Sequence, residues 1–284
     1  MVSYGMAFTT LISTTVLAAH LDDAVIVDCR SKLDDERWGE QEYTASHIPG
    51  ALYADLNRDL SGPRSGTNGR HPLPDPHTLA RTCGRLGIAS GVQVVAYDQD
   101  NGSWASRLWW LLRWLGHDTV AVLDGGFAKW IAEGRPTASG AERRAPRDFA
   151  GTPRPAMSVD VATVASRVGS RDWKLVDARA PERFRGETEP IDRTPGHIPG
   201  AVNHFFGGNL AADKTFRTPE ELRARFAPAL GNTPSDHVIC YCGSGVTACH
   251  NLLAMEHAGL GGAKLYVGSW SEWSAYPSRP VERG

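Results

Sequence analysis

The sequence has no long hydrophobic run, little net charge and few cysteines, and each shortage excludes a class of protein. No apolar stretch approaches the roughly 20 residues that a membrane-spanning helix needs, so no membrane partner is expected. The formal net charge is −2 over 284 residues. This balance argues against nucleic acid as a partner, because phosphate binding needs a concentrated basic face.

Cysteine and basic residues are also short where a secreted protein would need them. Five cysteines, an odd number in no regular framework, predict free thiols in a reducing compartment. Residues 1–19 contain no Lys or Arg, so the basic region of a secretory signal is missing. The predicted location is therefore the cytoplasm.

An internal repeat is present instead. Four sequence blocks recur in the same order at a spacing of about 150 residues. The pairs are Val25–Arg30 with Leu175–Arg179, His47–Ala51 with His197–Ala201, Val94–Asp98 with Val238–Cys242, and Leu123–Trp130 with Tyr266–Trp273. The chain is therefore predicted to be two copies of one domain.

Each copy alternates apolar strands with helical patterns, which predicts an α/β fold with a central, mostly parallel sheet flanked by helices. Gly134–Pro155 is rich in Pro, Gly, Ser and Arg and is typical of a linker. We predict a first domain at 1–138, a linker at 139–157 and a second domain at 158–284. The tryptophans at 109, 110 and 114 are interpreted as core and domain-interface packing.

The stretch with the clearest chemistry follows the apolar run Val238–Tyr241. Cys242 ends this predicted strand, a glycine-rich loop follows, and a helical pattern begins at Thr247. Inward-pointing loop N–H groups and a helix N-terminus both stabilise a thiolate anion, and Gly243 and Gly245 permit the backbone angles required. Cys242 is predicted to be a nucleophile with an exposed sulfur.

A buried core cysteine is the alternative, because cysteine is among the most buried residue types. The glycines and the hydroxyls of Ser244 and Thr247 favour the nucleophile. The first copy has Asp98 at the matching position, and an Asp cannot act as a sulfur nucleophile. That copy is predicted to be a scaffold and one wall of a cleft between the domains, while His47 and His197, shared by both copies, are assigned to structural turns.

These residues resemble the tandem-domain rhodanese-type sulfurtransferases over nearly the whole chain. The motifs are Asp-x-Arg, Gly-His-Ile-Pro-Gly-Ala and a cysteine loop followed by Gly-Ser-Trp-Ser-Glu-Trp. The loop is similar to that of the 3-mercaptopyruvate sulfurtransferase subgroup. Thiosulfate-using rhodaneses typically carry Arg and Lys after the cysteine, where this chain has Gly243 and Ser244.

The resemblance implies a two-step transfer without metal or cofactor. Cys242 takes sulfur from 3-mercaptopyruvate, releases pyruvate and holds a persulfide, which a thiol such as thioredoxin or glutathione, or cyanide, then accepts. The implied binding groups in the loop are Gly243, Gly245, Val246 and Thr247.

An α-keto carboxylate requires a fork of donors, and the family position identifies Arg183 as a substrate-binding arginine. Arg193 resembles a second one in this subgroup, although the intervening segment is one residue longer here. Arg179 is predicted to pair with an acid and fix the fold. His71 matches a family histidine that forms a relay with the loop serine, here Ser244.

The acid of that relay and the overall function leave alternatives open. Asp55 is the chosen acid, with Asn57 and Asp59 near the same place. A phosphatase needs an Arg six positions after the cysteine, where this chain has Ala248. A zinc site at Cys240, Cys242, Cys249 and His250 lacks the usual ligand spacing.

A thiosulfate sulfurtransferase, a non-enzymatic persulfide carrier and a redox-sensing module are the remaining functional alternatives. A disulfide from Cys242 to Cys240 or Cys249 would serve the last of these. The arginines favour an enzyme, because a carrier has little need to bind a carboxylate.

Overall fold

The computed structural model describes residues 7–284, which divide into two compact units. Unit 1 contains the described residues up to Asp59 together with Asp75–Pro153. Unit 2 contains Leu60–Pro74 and Arg154–Gly284. The first six residues of the stretch that lacks Lys and Arg lie outside the described part, and the domain boundaries at 138 and 158 stay predictions.

Unit 1 is built on a parallel sheet in the order β1-β5-β4-β2-β3. Its strands are β1 Leu11–Ile12, β2 Ala24–Asp28, β3 Leu52–Tyr53, β4 Gln93–Tyr97 and β5 Val120–Leu123. Its helices are α1 Thr14–Ala18, α2 Trp38–Ala45, α3 Pro76–Arg85, α4 Ala105–Trp114 and α5 Gly126–Ala132. Strand β2, which lies between β4 and β3, is buried along its whole length, as expected when helices cover both faces of a parallel sheet.

Unit 2 repeats this order as β6-β10-β9-β7-β8, again with parallel pairing throughout. Its strands are β6 Ser158–Val159, β7 Lys174–Asp177, β8 Val202–Asn203, β9 Val238–Tyr241 and β10 Lys264–Tyr266. Its helices are α6 Val161–Arg167, α7 Pro181–Phe184, α8 Pro219–Leu230, α9 Thr247–His257 and α10 Ser269–Trp273. The predicted duplication of one α/β plan is therefore confirmed.

Local signals explain where several helices begin. Asp75 accepts the backbone N–H of Thr78 and precedes Pro76 at the first turn of α3. Thr218 and Glu221 form a reciprocal capping box at the start of α8. Along α4 nearly every side chain is buried, and Trp109 and Trp110 lie in the core as predicted.

The His-Ile-Pro-Gly turns make the same contacts in both units. The His47 Nδ1–H donates to the Tyr43 carbonyl at 2.7 Å, and the His197 Nδ1–H donates to the Phe184 carbonyl at 2.7 Å. Each histidine also pairs its backbone with a distant segment, at Ala138 and Glu282 respectively. The shared geometry supports a structural role for both histidines.

Each unit also contains a buried Arg–Asp pair at the carboxyl end of a corresponding strand, β2 in unit 1 and β7 in unit 2. Arg30 binds Asp28 in unit 1, and Arg179 binds Asp177 in unit 2, with closest distances of 2.7 Å. A fork of two donors on one carboxylate fixes the chain direction at the strand end. The predicted pairing of Arg179 with an acid is present.

Among residues 7–284, no helix combines the length and apolarity that crossing a membrane requires.

Candidate active site

The cysteine loop, residues Cys242–Val246, connects β9 to α9. The Gly245 N–H points at the Cys242 Sγ at 3.1 Å, so a backbone donor faces the sulfur. Gly245 has φ +77°, and a Cβ there would meet the Val267 carbonyl, so only glycine fits this turn. Cys242 is only 2% exposed, so the expected exposure of the residue is wrong, because the loop folds its own backbone over the sulfur.

The start of α10 holds the loop in place. The Ser269 Oγ accepts the Cys242 N–H at 3.2 Å and donates to the Tyr266 carbonyl at 2.9 Å. Two further N–H groups, of Trp270 and Ser271, donate to the carbonyls of Cys242 and Gly243 at 2.9 Å each. The Gly-Ser-Trp-Ser-Glu-Trp motif therefore acts as a backbone clamp on the cysteine loop.

The loop serine meets the predicted histidine. The His71 Nδ1 lies 2.8 Å from the Ser244 Oγ, and both side chains are buried. His71 reaches this position because residues 60–74 belong to unit 2, where Gly69 packs closely on the Gly268 backbone. The Arg70 N–H also donates to the Ser271 Oγ at 3.1 Å, which fixes the segment next to the clamp.

The predicted acid, Asp55, lies in unit 1 and has local partners there. Its carboxylate accepts the N–H groups of Asn57 at 2.9 Å and Arg58 at 2.7 Å. Asp59 accepts the Asp55 N–H and is paired with the guanidinium groups of Arg58 and Arg85. These contacts stabilise the turn after β3, and a relay role for Asp55 stays a prediction.

Two arginines lie over the residue that follows the cysteine. A Cβ added at Gly243 would lie 2.8 Å from the Arg70 Nη2 and 3.7 Å from the Arg183 Nη2. Arg183 was predicted from the sequence, but Arg70 was not. The sequence does contain a signal for Arg70, because this residue directly precedes the predicted site residue His71 in the Gly-Arg-His-Pro stretch. We call Arg70 and Arg183 the arginine pair.

Two buried carboxylates hold the arginine pair. The Arg183 Nη2 donates to the Glu189 Oε1 at 2.7 Å and to the Asp192 Oδ2 at 3.3 Å, and the Arg70 Nη1 donates to the Asp192 Oδ1. The acid side chains are only 3% and 5% exposed. Burial raises the pKa of Asp192 even though both arginines oppose the shift.

Arg193 takes a different place from its neighbour. Its side chain is exposed, while Asp192 contacts the arginine pair. The Glu189 Oε1 also accepts the N–H groups of Ile191 and Asp192 at 3.2 and 3.1 Å, which sets the loop so that Asp192 faces inward. Substrate binding by Arg193 stays a prediction.

The remaining predicted loop groups lead into α9. Val246 occupies the N-cap position without a side-chain cap, and Thr247 is the first residue of the helix. The other nearby thiols are buried: Cys240 lies in β9, and the Cys249 Sγ donates to the Gly245 carbonyl at 3.2 Å. Burial raises the pKa of the Cys240 thiol, which makes it a poor nucleophile. Among residues 7–284, no group of three or more His, Cys, Asp or Glu side chains is arranged to hold a metal ion.

Comparison with known proteins places this arrangement in a family. The rhodanese-like domain model matches residues 13–133 and again residues 160–276. A probable 3-mercaptopyruvate sulfurtransferase of Pseudomonas aeruginosa is 48% identical, over 98% of this chain and 100% of its own. A thiosulfate sulfurtransferase of Cricetulus griseus is 38% identical, over 87% of this chain and 84% of its own.

A solved structure agrees with these relatives. The 3-mercaptopyruvate sulfurtransferase from Leishmania major superposes with a TM-score of 0.86 at 32% identity, and the match covers 96% of this chain and 76% of that chain. The predicted fold and the predicted sulfurtransferase class are confirmed by these similarities. The chain belongs to the rhodanese-like domain family and contains two such domains in tandem.

Proposed function

We propose that this protein transfers sulfane sulfur from 3-mercaptopyruvate, through a persulfide on Cys242, to a thiol or to cyanide. One observation carries the proposal: the Cys242 sulfur accepts the Gly245 N–H, and the next residue in the chain, Gly243, faces the arginine pair. The backbone donor suits an anionic sulfur, and the guanidinium groups suit the carboxylate of a keto acid.

In the first step the Cys242 thiolate attacks the thiol sulfur of the substrate. The new S–S bond forms as the substrate C–S bond breaks, and the electron pair of that bond goes to carbon as the enolate of pyruvate. A proton at this carbon completes pyruvate, and the enzyme retains the persulfide. The Gly245 N–H donates to the Cys242 sulfur, which carries the negative charge before this step.

The proton has a route through Ser244 and His71. The substrate thiol loses a proton as its sulfur becomes the outer persulfide atom, and the enolate carbon gains one. The 2.8 Å hydrogen bond between the Ser244 Oγ and the His71 Nδ1 supplies a donor and an acceptor for this transfer. The pair thereby returns the thiol proton to carbon.

The second step regenerates the thiolate. An acceptor thiolate, from a protein such as thioredoxin or from glutathione, attacks the outer sulfur, and Cys242 leaves as the thiolate that the Gly245 N–H stabilises. Cyanide reacts at the same atom. We place the protein in the cytoplasm, where reduced acceptors are abundant and the free cysteines persist.

Thiosulfate is the second candidate donor, and one contact favours it. The cysteine loop itself carries no cation, but the Arg70 guanidinium takes the space that a side chain at position 243 would fill. A cation at that place suits the sulfonate of thiosulfate. The choice between donors therefore depends on how strongly Arg70 is neutralised.

The test measures sulfur transfer to a thiol with both donors side by side, together with pyruvate release and the mass of Cys242. We expect 3-mercaptopyruvate to be preferred, with pyruvate formed and Cys242 heavier by one sulfur atom. A preference for thiosulfate would replace the proposed donor. A persulfide acquired without turnover of either donor would support the carrier alternative.

Arg183→Ala tests the carboxylate site, with Arg185→Ala as a matched control. Arg185 lies two residues away, is exposed and pairs with Glu187. Loss of a guanidinium–carboxylate fork should raise the KM for 3-mercaptopyruvate by about 10- to 100-fold with a smaller change in kcat. Steady-state kinetics would contradict the role if both variants changed KM equally.

A further inference from the structure

The carboxylates around the arginine pair supply as much negative charge as the arginines there supply positive charge. Asp192 binds both guanidinium groups, and Glu189 binds Arg183 and also Arg179. Arg179 is in addition held by Asp177. The two cations that face Gly243 are thus opposed by two carboxylates, and both carboxylates are buried where water screens little.

Asp192 differs from Glu189 in what it contributes. Glu189 also accepts backbone N–H groups and fixes the loop, so its charge serves the local fold. Asp192 joins Arg70 to Arg183, because its carboxylate accepts from the Nη1 of Arg70 and from the Nη2 of Arg183. It is the charge that a bound donor experiences most directly.

We propose that Asp192 is a specificity-determining residue that disfavours dianionic sulfur donors and so selects keto-carboxylate monoanions. The inference rests on the proposed function, since it concerns the choice between the two donors considered there. Thiosulfate carries two negative charges, and 3-mercaptopyruvate carries one. Because Coulomb energy is proportional to charge, one fixed negative charge at the site penalises the dianion twice as strongly as the monoanion.

The placement of Arg70 strengthens this inference. The chain keeps a cation beside the cysteine loop, at the place where a side chain of residue 243 would lie. A free cation there would favour thiosulfate. Its binding to Asp192 leaves the hydrogen-bonding geometry of the guanidinium in place while removing its net charge.

The test compares kcat/KM for both donors in the wild type and in Asp192→Asn, which keeps the shape of the side chain and removes its charge. The ratio of thiosulfate to 3-mercaptopyruvate efficiency should rise about tenfold, as expected for one unit charge at this range in a partly screened site. Glu187→Gln is the matched control, because it removes an exposed charge from the same segment and should leave the ratio unchanged.

Two further measurements separate charge from structure. Inhibition by sulfate should strengthen more than inhibition by pyruvate in Asp192→Asn, and Arg70→Met added to that variant should abolish the gain. If Asp192→Asn does not fold, Asp192→Ser is assayed in the same way. Equal changes with both donors would overturn the proposal, whereas failure of the wild type to use 3-mercaptopyruvate would overturn the proposed function instead.

Discussion

The cysteine loop of unit 2 and the matching loop of unit 1, Asp98–Ser103, differ in the side-chain atom that accepts the backbone N–H groups. In unit 1 the Asp98 carboxylate accepts four backbone N–H groups, from Asp100, Gly102, Trp104 and Ala105, at 2.7–3.3 Å. In unit 2 the Cys242 sulfur accepts the N–H of Gly245. The loop of unit 1 is therefore an anion cradle filled by its own side chain.

A second difference lies in the segment that clamps each loop. In both units an N–H group of the following helix donates to the carbonyl of the Asp or Cys, from Phe127 and Trp270 respectively, at 2.9 Å. Unit 1 has Gly126 with φ +60° where unit 2 has Ser269 with φ +53°. A non-glycine residue in this left-handed region is strained, and in unit 2 its hydroxyl holds the Cys242 N–H. The strained residue is thus in the copy that contains Cys242.

The largest expected effect comes from giving unit 2 the acid of unit 1. Cys242→Asp should fold, because a carboxylate can accept the loop N–H groups, but it should lower sulfur transfer by about a thousandfold or more. Cys83→Ala, which removes a buried thiol of α3, is the control and should retain transfer. Measurable turnover by Cys242→Asp would mean that another residue carries the sulfur.

Removing the Asp98 carboxylate tests how much this acceptor stabilises the loop of unit 1. Asp98→Ala leaves four N–H groups, two of them buried and two partly buried, without their acceptor, and should lower the free energy of unfolding by about 3 kcal/mol. Asp98→Asn keeps one oxygen acceptor and avoids the cost of a buried charge, which is the main reason that the pKa of Asp98 is raised. It should therefore lose less. Urea denaturation with equal losses for both variants would contradict this role.

Exchanging the strained serine is expected to have a smaller effect. Ser269→Ala loses the hydroxyl bonds and keeps the left-handed backbone, whereas Ser269→Gly loses the same bonds but relieves the strain. We expect a stability loss of about 2 kcal/mol for alanine and about 1 kcal/mol for glycine. In unit 1, Gly126→Ala should be destabilising, because its Cβ would lie 2.9 Å from the Asp98 carbonyl. Urea denaturation of all three variants gives the order.

The smallest effect concerns pH. The buried His204 Nε2–H donates to the Asn209 Oδ1 at 2.9 Å, and burial lowers the pKa of His204 below 6.5 despite this bond. The folded state favours the neutral ring. The contribution of His204 to the stability of the protein is therefore fully present above about pH 6.5 and is lost as the pH falls below that value. Thermal unfolding between pH 7.5 and 5 should show a loss of about 1 kcal/mol that His204→Gln reduces. A pH profile that His204→Gln leaves unchanged would contradict this role.

Much of this architecture could be predicted because its signals are local. The continuous apolar runs at β2 and β4, the helical pattern of α4 and the glycines of the cysteine loop each lie within a few neighbouring residues. The repeat then indicated which strands of the two copies correspond to each other. Cys242, Ser244 and His71 were proposed together from motifs, and the structure brings the last two into contact.

The missing parts of the site depend on distant partners. Arg70 and Asp192 are 122 residues apart in the chain, and neither lies in a periodic segment that would reveal its direction. The inward turn of Asp192, with Arg193 exposed, results from backbone bonds to Glu189 rather than from residue type. The burial of Cys242 likewise depends on how the loop folds and not on its composition.

Unit 2 depends on the segment Leu60–Pro74, which interrupts unit 1 in the sequence. It follows the third strand of unit 1 in the chain but belongs to unit 2, to which it supplies Arg70 and His71. A fragment that begins at Arg154 would contain the complete sheet of unit 2 and Cys242, but it would lack the histidine beside Ser244 and one cation of the arginine pair. Such a fragment would therefore contain only part of the candidate site.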